Sequence, residues 1–230
     1  MLVQHCKARF ADAVGSGRRS RCSWNSIYSA VLCKPERNAW GTINRDWVIR
    51  NQRRGAPSKM VEVRRIDLVE YFRQYGMPYY LKIDVEGSDL TAASSLKALE
   101  DRPQFISIET EINRFSRVLG EIELLCSLGY RKFKPVQQET IEGARLVLRA
   151  RDGTSFEHVF ERGASGSFGD ELPGEWLDYK DSRRAYWAIF ARYWAVGHLS
   201  PFYGRHWHSA QRRLERVIGI AGWHDLHASL

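Results

Sequence analysis

The sequence predicts an α/β fold, a parallel sheet with helices packed on both faces, followed by a C-terminal helical extension. Three observations carry this. Between Met60 and Val136, short apolar runs alternate with helical periodicities in the order strand, helix, strand, helix, strand, helix, strand. Glycines and prolines punctuate each change, at Gly76, Pro78, Pro103 and Gly129. After Gln137 the rhythm fades into a glycine- and serine-rich loop and an aromatic-rich helix.

Taken in order, Val3–Val14 has a helical pattern closed by Gly15-Ser16-Gly17, Ile27–Leu32 suits a strand, and Asn44–Gln52 suits a helix. Val61 and Val63 alternate with charged residues, the mark of a strand with one covered face. Asp67 is placed to cap a helix bearing Leu68, Val69, Phe72 and Tyr75, stopped by Gly76. Tyr79–Asp84 is a short, largely apolar strand. Leu90, Ala93, Leu96 and Leu99 then mark one face of a helix that begins after Gly87. Gln104–Glu109 reads as the next strand. The stripe Phe115, Val118, Leu119, Ile122 and Leu125 reads as the next helix, and Tyr130–Val136 as a further strand. Residues 163–169 form a loop, Asp181–Val196 a helix, and Ser209–Gly219 a last helix. The expected division is a sheet-bearing domain over 1–137 and a loop and helical extension over 138–230, packed on the same domain.

Composition narrows the function. The 230 residues are 43% hydrophobic and 27% charged, ordinary for a globular chain. No run of about 18 apolar residues offers a membrane span, and Met1–Phe10 lacks the pattern of a secretory signal, so a cytoplasmic protein with no membrane partner is expected. Cys6, Cys22, Cys33 and Cys126 share no metal-binding or redox spacing and read as reduced thiols. The net charge of +8 is concentrated at Arg18, Arg19 and Arg21, at Arg50, Arg53 and Arg54, and at Arg212, Arg213 and Arg216. No nucleic-acid motif accompanies these clusters, so they read as solvated faces and no nucleic-acid partner is expected. His206 with His208, and His224 with Asp225 and His227, have spacings a metal accepts, but they read as scattered surface histidines and no metal is assigned. Tyr186, Trp187, Phe190, Tyr193 and Trp194 are able to stack on a sugar or nucleobase, but read first as a packed helix–helix seam.

The chemistry concentrates in Gly76-Met77-Pro78-Tyr79-Tyr80-Leu81-Lys82-Ile83-Asp84-Val85-Glu86-Gly87. Ligands of open α/β sheets bind beyond the carboxyl ends of the strands, where Asp84, Glu86 and Gly87 fall. Gly87 permits a tight turn and close approach of a ligand to the backbone. Asp84 and Glu86, two residues apart, can share a cleft in which repulsion raises one pKa, and Glu109 ends the following strand. Equally, Glu86 or Asp89 can cap a helix, and Glu109 can pair with an arginine.

Residues Ile66–Glu109 resemble the FkbM-type methyltransferases: an Asp-Leu helix start, a Gly-x-Pro, a strand ending in Lys-Ile-Asp-x-Glu-Gly, and a strand holding Pro103, Ser107 and Glu109. Upstream, Arg37–Thr42 with Arg45-Asp46-Trp47 looks like the family's segment over the active site. Downstream, Ser165–Gly169 and Trp223–His227 resemble elements of one bacterial subgroup. The resemblance implies an incomplete class I methyltransferase (Rossmann-like) sheet that uses S-adenosylmethionine and methylates a hydroxyl of a small molecule or sugar. It implies Asp84, Glu86 and Glu109 as catalytic residues, in that order, Asp84 and Gly87 at the cofactor, and Trp40, Ser167 and Phe168 at the substrate. The family's glycine-rich cofactor loop and ribose-binding acid have no counterpart here; Gly15-Ser16-Gly17 has the spelling without the preceding strand. The expectation is therefore an N-terminally truncated member, prone to self-association and possible to lack activity. The alternative is a non-catalytic remnant of the fold that acts as a protein-binding module.

Overall fold

Strands and helices in the computed structural model follow the predicted alternation and add to it. Described are residues 28–34, 37–42, 49, 59–64, 66–85, 88–110, 112, 114–149, 153–161, 163–197, 200, 213–215, 217–219 and 223–230, with 28–34, 37–42 and 59–64 described by backbone alone. The expected helix over Val3–Val14, the Gly15-Ser16-Gly17 stop, most of the expected helix over Asn44–Gln52 and the first two arginine clusters lie outside them, as do Arg212, Arg216, His206 and His208. The chain divides into two compact units: Met1–Met77 with Lys82–Glu100, and Pro78–Leu81 with Asp101–Leu230.

The first unit holds an antiparallel sheet in the order β2-β1-β3, formed by β1 (Tyr28–Lys34), β2 (Arg37–Thr42) and β3 (Lys59–Arg64). Val31 lies opposite Val61 across β1 and β3, while the β1–β2 register is irregular between Leu32 and Lys34. Helix α1 (Leu68–Tyr75) begins where expected. The Asp67 carboxylate accepts hydrogen bonds from the Val69 and Glu70 amides, at 2.9 and 3.1 Å, so it satisfies two donors that have no partner inside the helix. Gly76, at φ 88°, closes it, a backbone region that glycine enters without steric cost. Tyr75 is 66% exposed, so the apolar face narrows to Phe72 with its half-buried neighbours. Helix α2 (Asp89–Ser95) and the turn after it bury Ala93 and Leu96 completely, as the sequence periodicity predicts.

The second sheet has the order β4-β5-β9-β6, from β4 (Tyr80–Ile83), β5 (Phe105–Thr110), β6 (Lys132–Gln137) and β9 (His224–Ser229). Both β5 and β6 run antiparallel to β9, so they are parallel to each other with a reversed strand between them. The sheet is therefore mixed, and together with its helices it is compatible with a Rossmann-like methyltransferase fold. The expected all-parallel pattern gives way because the strand that fills the gap comes from the far C-terminus, where no strand was expected.

Helix α3 (Phe115–Ser127) packs against α4 (Tyr179–Ala195), and α4 packs against β6. Val118, Ile122 and Leu125 are fully buried, the stripe predicted for α3. Between β6 and α4, the hairpin of β7 (Arg145–Arg149) and β8 (Ser155–Val159) forms a separate two-stranded ribbon. The free edge of β6 is met by Leu177, which exchanges two 2.8 Å backbone hydrogen bonds with Phe133. That contact shields an edge that would otherwise offer unpaired amides. Of the expected last helix over Ser209–Gly219, residues 213–215 and 217 are helical.

Candidate active site

Asp84 directly follows the last residue of β4. Ile83, 3% exposed, anchors the strand end in the core of its unit, which fixes where the next side chain starts. The Asp84 side chain is 11% exposed, with the Lys82 ammonium 3.9 Å from its Oδ2. Four residues on from Val85, the Asp89 carboxylate leaves α2 and accepts the Val85 amide at 3.0 Å, closing the turn. So Asp89 takes a structural part at this turn. Glu86 and Gly87 lie outside the described residues. Trp40 lies in β2, and its side chain is outside the description.

The second unit places Glu109 one residue before the end of β5, where it is half-buried. Its cross-strand partner is Asp225 of β9, so both carboxylates project from the same face of the sheet. One step down that face stand Ser107 of β5, His227 of β9 and Lys134 of β6, in register, and Tyr80 of β4 joins them through a 2.6 Å hydroxyl–hydroxyl hydrogen bond to Ser107. Ser107, His227 and Lys134 are 0%, 1% and 5% exposed. A polar row thus crosses all four strands in the interior. Burial raises the Tyr80 phenol well above its ordinary range, the Ser107 hydrogen bond acting against it and the Asp225 charge with it.

The segment that covers this face is the predicted loop. Phe168 stacks on the Tyr80 ring at 4.2 Å and 1°, and Gly169 turns at φ 66° directly over Phe105, where a Cβ would come within 3.0 Å of the ring. A side chain at Gly169 is barred both by the backbone and by this approach. The Lys134 ammonium donates to the Leu172 and Gly174 carbonyls at 3.0 and 2.7 Å and lies 4.7 Å from the Trp176 ring. Desolvation lowers its pKa, while Asp170 counteracts the shift. Ser167, half-buried, donates to the Glu171 carbonyl at 3.2 Å. Of the three residues expected at the substrate, Phe168 therefore faces the polar row through Tyr80 and Ser167 shapes the loop that holds it, while the Trp40 side chain lies outside the described residues.

The opposite face lies under the helices. Thr110 and His224 are opposite each other, with Ile108 opposite Leu226 and Ile106 opposite Ala228. Tyr193 of α4 meets the His224 ring edge-on at 6.0 Å, and burial pushes the His224 pKa down to about 4. His224 and His227 are thus interior residues on opposite faces, not surface histidines as the sequence suggested. A strand's alternation separates them, so they form no chelating pair. Among the described residues no group of three or more His, Cys, Asp or Glu is placed to hold a metal ion, and no helix is long and apolar enough to cross a membrane.

Tyr80, Lys134, Asp225 and His227 escaped the sequence reading as site residues. Tyr80 lies inside the motif segment, and Asp225 and His227 lie in Trp223–His227, whose spacing was weighed as a metal site and whose pattern carries part of the resemblance; Lys134 carried no signal. The chain matches no curated protein and no solved structure. A family model described as the methyltransferase FkbM domain does match, over residues 25–132, and that span contains Ile66–Glu109 with its Lys-Ile-Asp-Val-Glu-Gly strand end. The match over residues 25–132 is consistent with the FkbM-type methyltransferase family.

Proposed function

We propose that this chain transfers a methyl group from S-adenosylmethionine to a hydroxyl of a small molecule or sugar. The observation that carries the reading is Asp84, an ionisable side chain 11% exposed at the end of β4, inside the matched domain. A carboxylate here suits both partners of the reaction: it accepts a hydrogen bond from an acceptor hydroxyl and offers negative charge to a cation. Asp84 and Gly87 are the residues that would hold the cofactor. The bound cofactor supplies an electrophilic sulfonium methyl, whose C–S bond breaks as the new O–C bond forms.

The chain's own residues align and deprotonate. Asp84 orients the acceptor hydroxyl and takes its proton as the oxygen becomes bonded to carbon, with Glu86 as the further carboxylate of the motif. The Lys82 ammonium lies 3.9 Å from the Asp84 carboxylate. Trp40, Ser167 and Phe168 serve the acceptor.

Transfer of isotopically labelled methyl from S-adenosylmethionine to hydroxyl acceptors tests the reading. Asp84→Asn keeps the side-chain size and loses the basicity, so turnover should fall roughly 10²- to 10⁴-fold while the melting temperature stays near wild type. If Asn lowers the melting temperature and spares turnover per folded molecule, Asp84 is a structural carboxylate and leaves the catalytic list.

A further inference from the structure

The segment 163–177 crosses the strands above the polar row. Phe168 covers Tyr80 of β4, Gly169 sits on Phe105 of β5, and the Leu172 and Gly174 carbonyls meet Lys134 of β6. His227 of β9 stands between Ser107 and Lys134 in that row. The stretch from Gly169 to Leu172 therefore passes over it, and it is 1% exposed.

The two halves of this segment are held by different means. From Leu172 onward it is bonded to the sheet: two carbonyls accept the Lys134 ammonium, and Leu177 exchanges two backbone hydrogen bonds with Phe133. Among the described residues, every hydrogen bond made by 163–171 stays within 161–172, as from Ala164 to the Glu161 carbonyl and from Ser167 to the Glu171 carbonyl. What seats this half is packing: Phe168 on Tyr80, Gly169 on Phe105 and Gly166 against Ile141, with the Asp170 charge drawn toward Lys134. Its first residue, Gly163, turns at φ 80° with nothing within 4 Å of the place a Cβ would take. It is a joint on which no neighbour presses.

What lies beneath decides the cost of lifting it. Under this half are a phenol, a hydroxyl and an imidazole, which water hydrogen-bonds once admitted. Phe105 keeps the Tyr79 and Trp176 rings beside it. On the opposite face, under the helices, lie Ile106, Ile108, Leu226 and Ala228, all fully buried, which water serves poorly. Segments whose opening exposes little apolar surface and breaks few hydrogen bonds open first. We infer that residues 163–171 form a gate, pivoting at Gly163 and anchored from Leu172 on, which lifts from the folded sheet and admits small polar molecules to the row of Tyr80, Ser107 and His227. The gate is independent of methyl transfer.

Carbethoxylation of the full chain by diethyl pyrocarbonate at neutral pH, without cofactor and located by peptide mass spectrometry, tests it. His224 is the internal control. It lies three residues away in the same strand, is likewise buried but on the face under the helices, and is held neutral, the form that the reagent attacks. In the folded wild type His227 should react at least about tenfold faster than His224, because local opening reaches the first and only global unfolding the second. Phe168→Ala removes the ring that seats the gate and should raise the His227 rate roughly three- to tenfold further, with His224 unchanged. Phe168→Tyr should return that rate to the wild-type value. Equal rates at the two histidines in the wild type overturn the gate. So does a Phe168→Ala variant that keeps the wild-type melting temperature and leaves the His227 rate unchanged. If Phe168→Ala melts lower and both histidines speed up together, access follows unfolding of the whole chain, which overturns it as well.

Discussion

Strand β9 reads His-Asp-Leu-His-Ala-Ser, largely polar, and its first five residues are buried. Strand β7 reads Arg-Leu-Val-Leu-Arg, and its central Val147 is 65% exposed. Both belong to antiparallel pairs, so local backbone pairing does not separate them. The difference lies in what surrounds each pair. β9 has a strand on either side and a layer on each face, helices on one and the 168–177 segment on the other. The β7–β8 ribbon has two strands only, too few to bury a side of their own. In this molecule hydropathy describes a segment, while burial follows its neighbours.

The sharpest way to break the comparison is to truncate a buried side chain of β9. Leu226 of β9 is fully buried. Leu226→Ala should cost about 2–5 kcal/mol, through lost burial and the cavity left behind, and should lower the denaturant midpoint accordingly. A cost under about 1 kcal/mol would mean that β9 is peripheral to the core.

Acid tests the polar residues of the same strand. His224 is held neutral, with a folded pKa of about 4 against an ordinary value near 6.5. The unfolded chain binds its proton first, so stability is full above about pH 6.5 and falls as the pH drops towards 4. The drop is on the order of 3 kcal/mol. Urea titrations at pH 7 and pH 4.5 on wild type and His224→Phe should show this component in the wild type alone; an identical acid loss in both would assign it to other groups.

Lys134 comes next. Lys134→Met keeps the stem and removes the ammonium that holds the Leu172 and Gly174 carbonyls. Because the lysine also loses an unfavourable desolvation, the expected cost is only about 1–2 kcal/mol. The specific signature is local: amide hydrogen exchange should rise over 168–177 and stay unchanged in α3. Uniform change in both places would show that Lys134 supports the fold as a whole rather than this segment. Smallest of all should be Val147→Thr in the ribbon, within about 0.5 kcal/mol of wild type, since its surroundings are already wet. A loss above 1 kcal/mol would reveal a partner for that ribbon.

The caps and stripes were legible because they are local. Asp67 meets amides two and three residues on, Gly76 supplies a positive φ next to its own helix, and Ala93, Leu96, Val118, Ile122 and Leu125 repeat at helical spacing. The motif at Lys82–Gly87 pointed to the family, and the matched domain agrees. That Asp84 ends a strand was legible for the same reason, since a strand end followed by a helix start can be read over a dozen residues. The polar row of the second unit was not: Tyr80 and Ser107 are 27 residues apart, Ser107 and His227 are joined by strand pairing, and Lys134 reaches carbonyls 38 and 40 residues away.

Local order in this chain, meaning which segments become helix or strand from Ile66 to Val136 and where each stops, followed from the sequence by itself. So did the resemblance to the FkbM-type methyltransferases, through a contiguous motif. Only the tertiary structure decided that the last six-residue strand would enter the middle of the sheet, that the histidines of that strand would be interior, and that Trp187 and Trp194 would stay in water while Tyr186 and Tyr193 did not. The physical reason is range: propensity, capping and periodicity act over a few residues and are written there, whereas burial is a sum over neighbours that chain closure brings from far along the sequence.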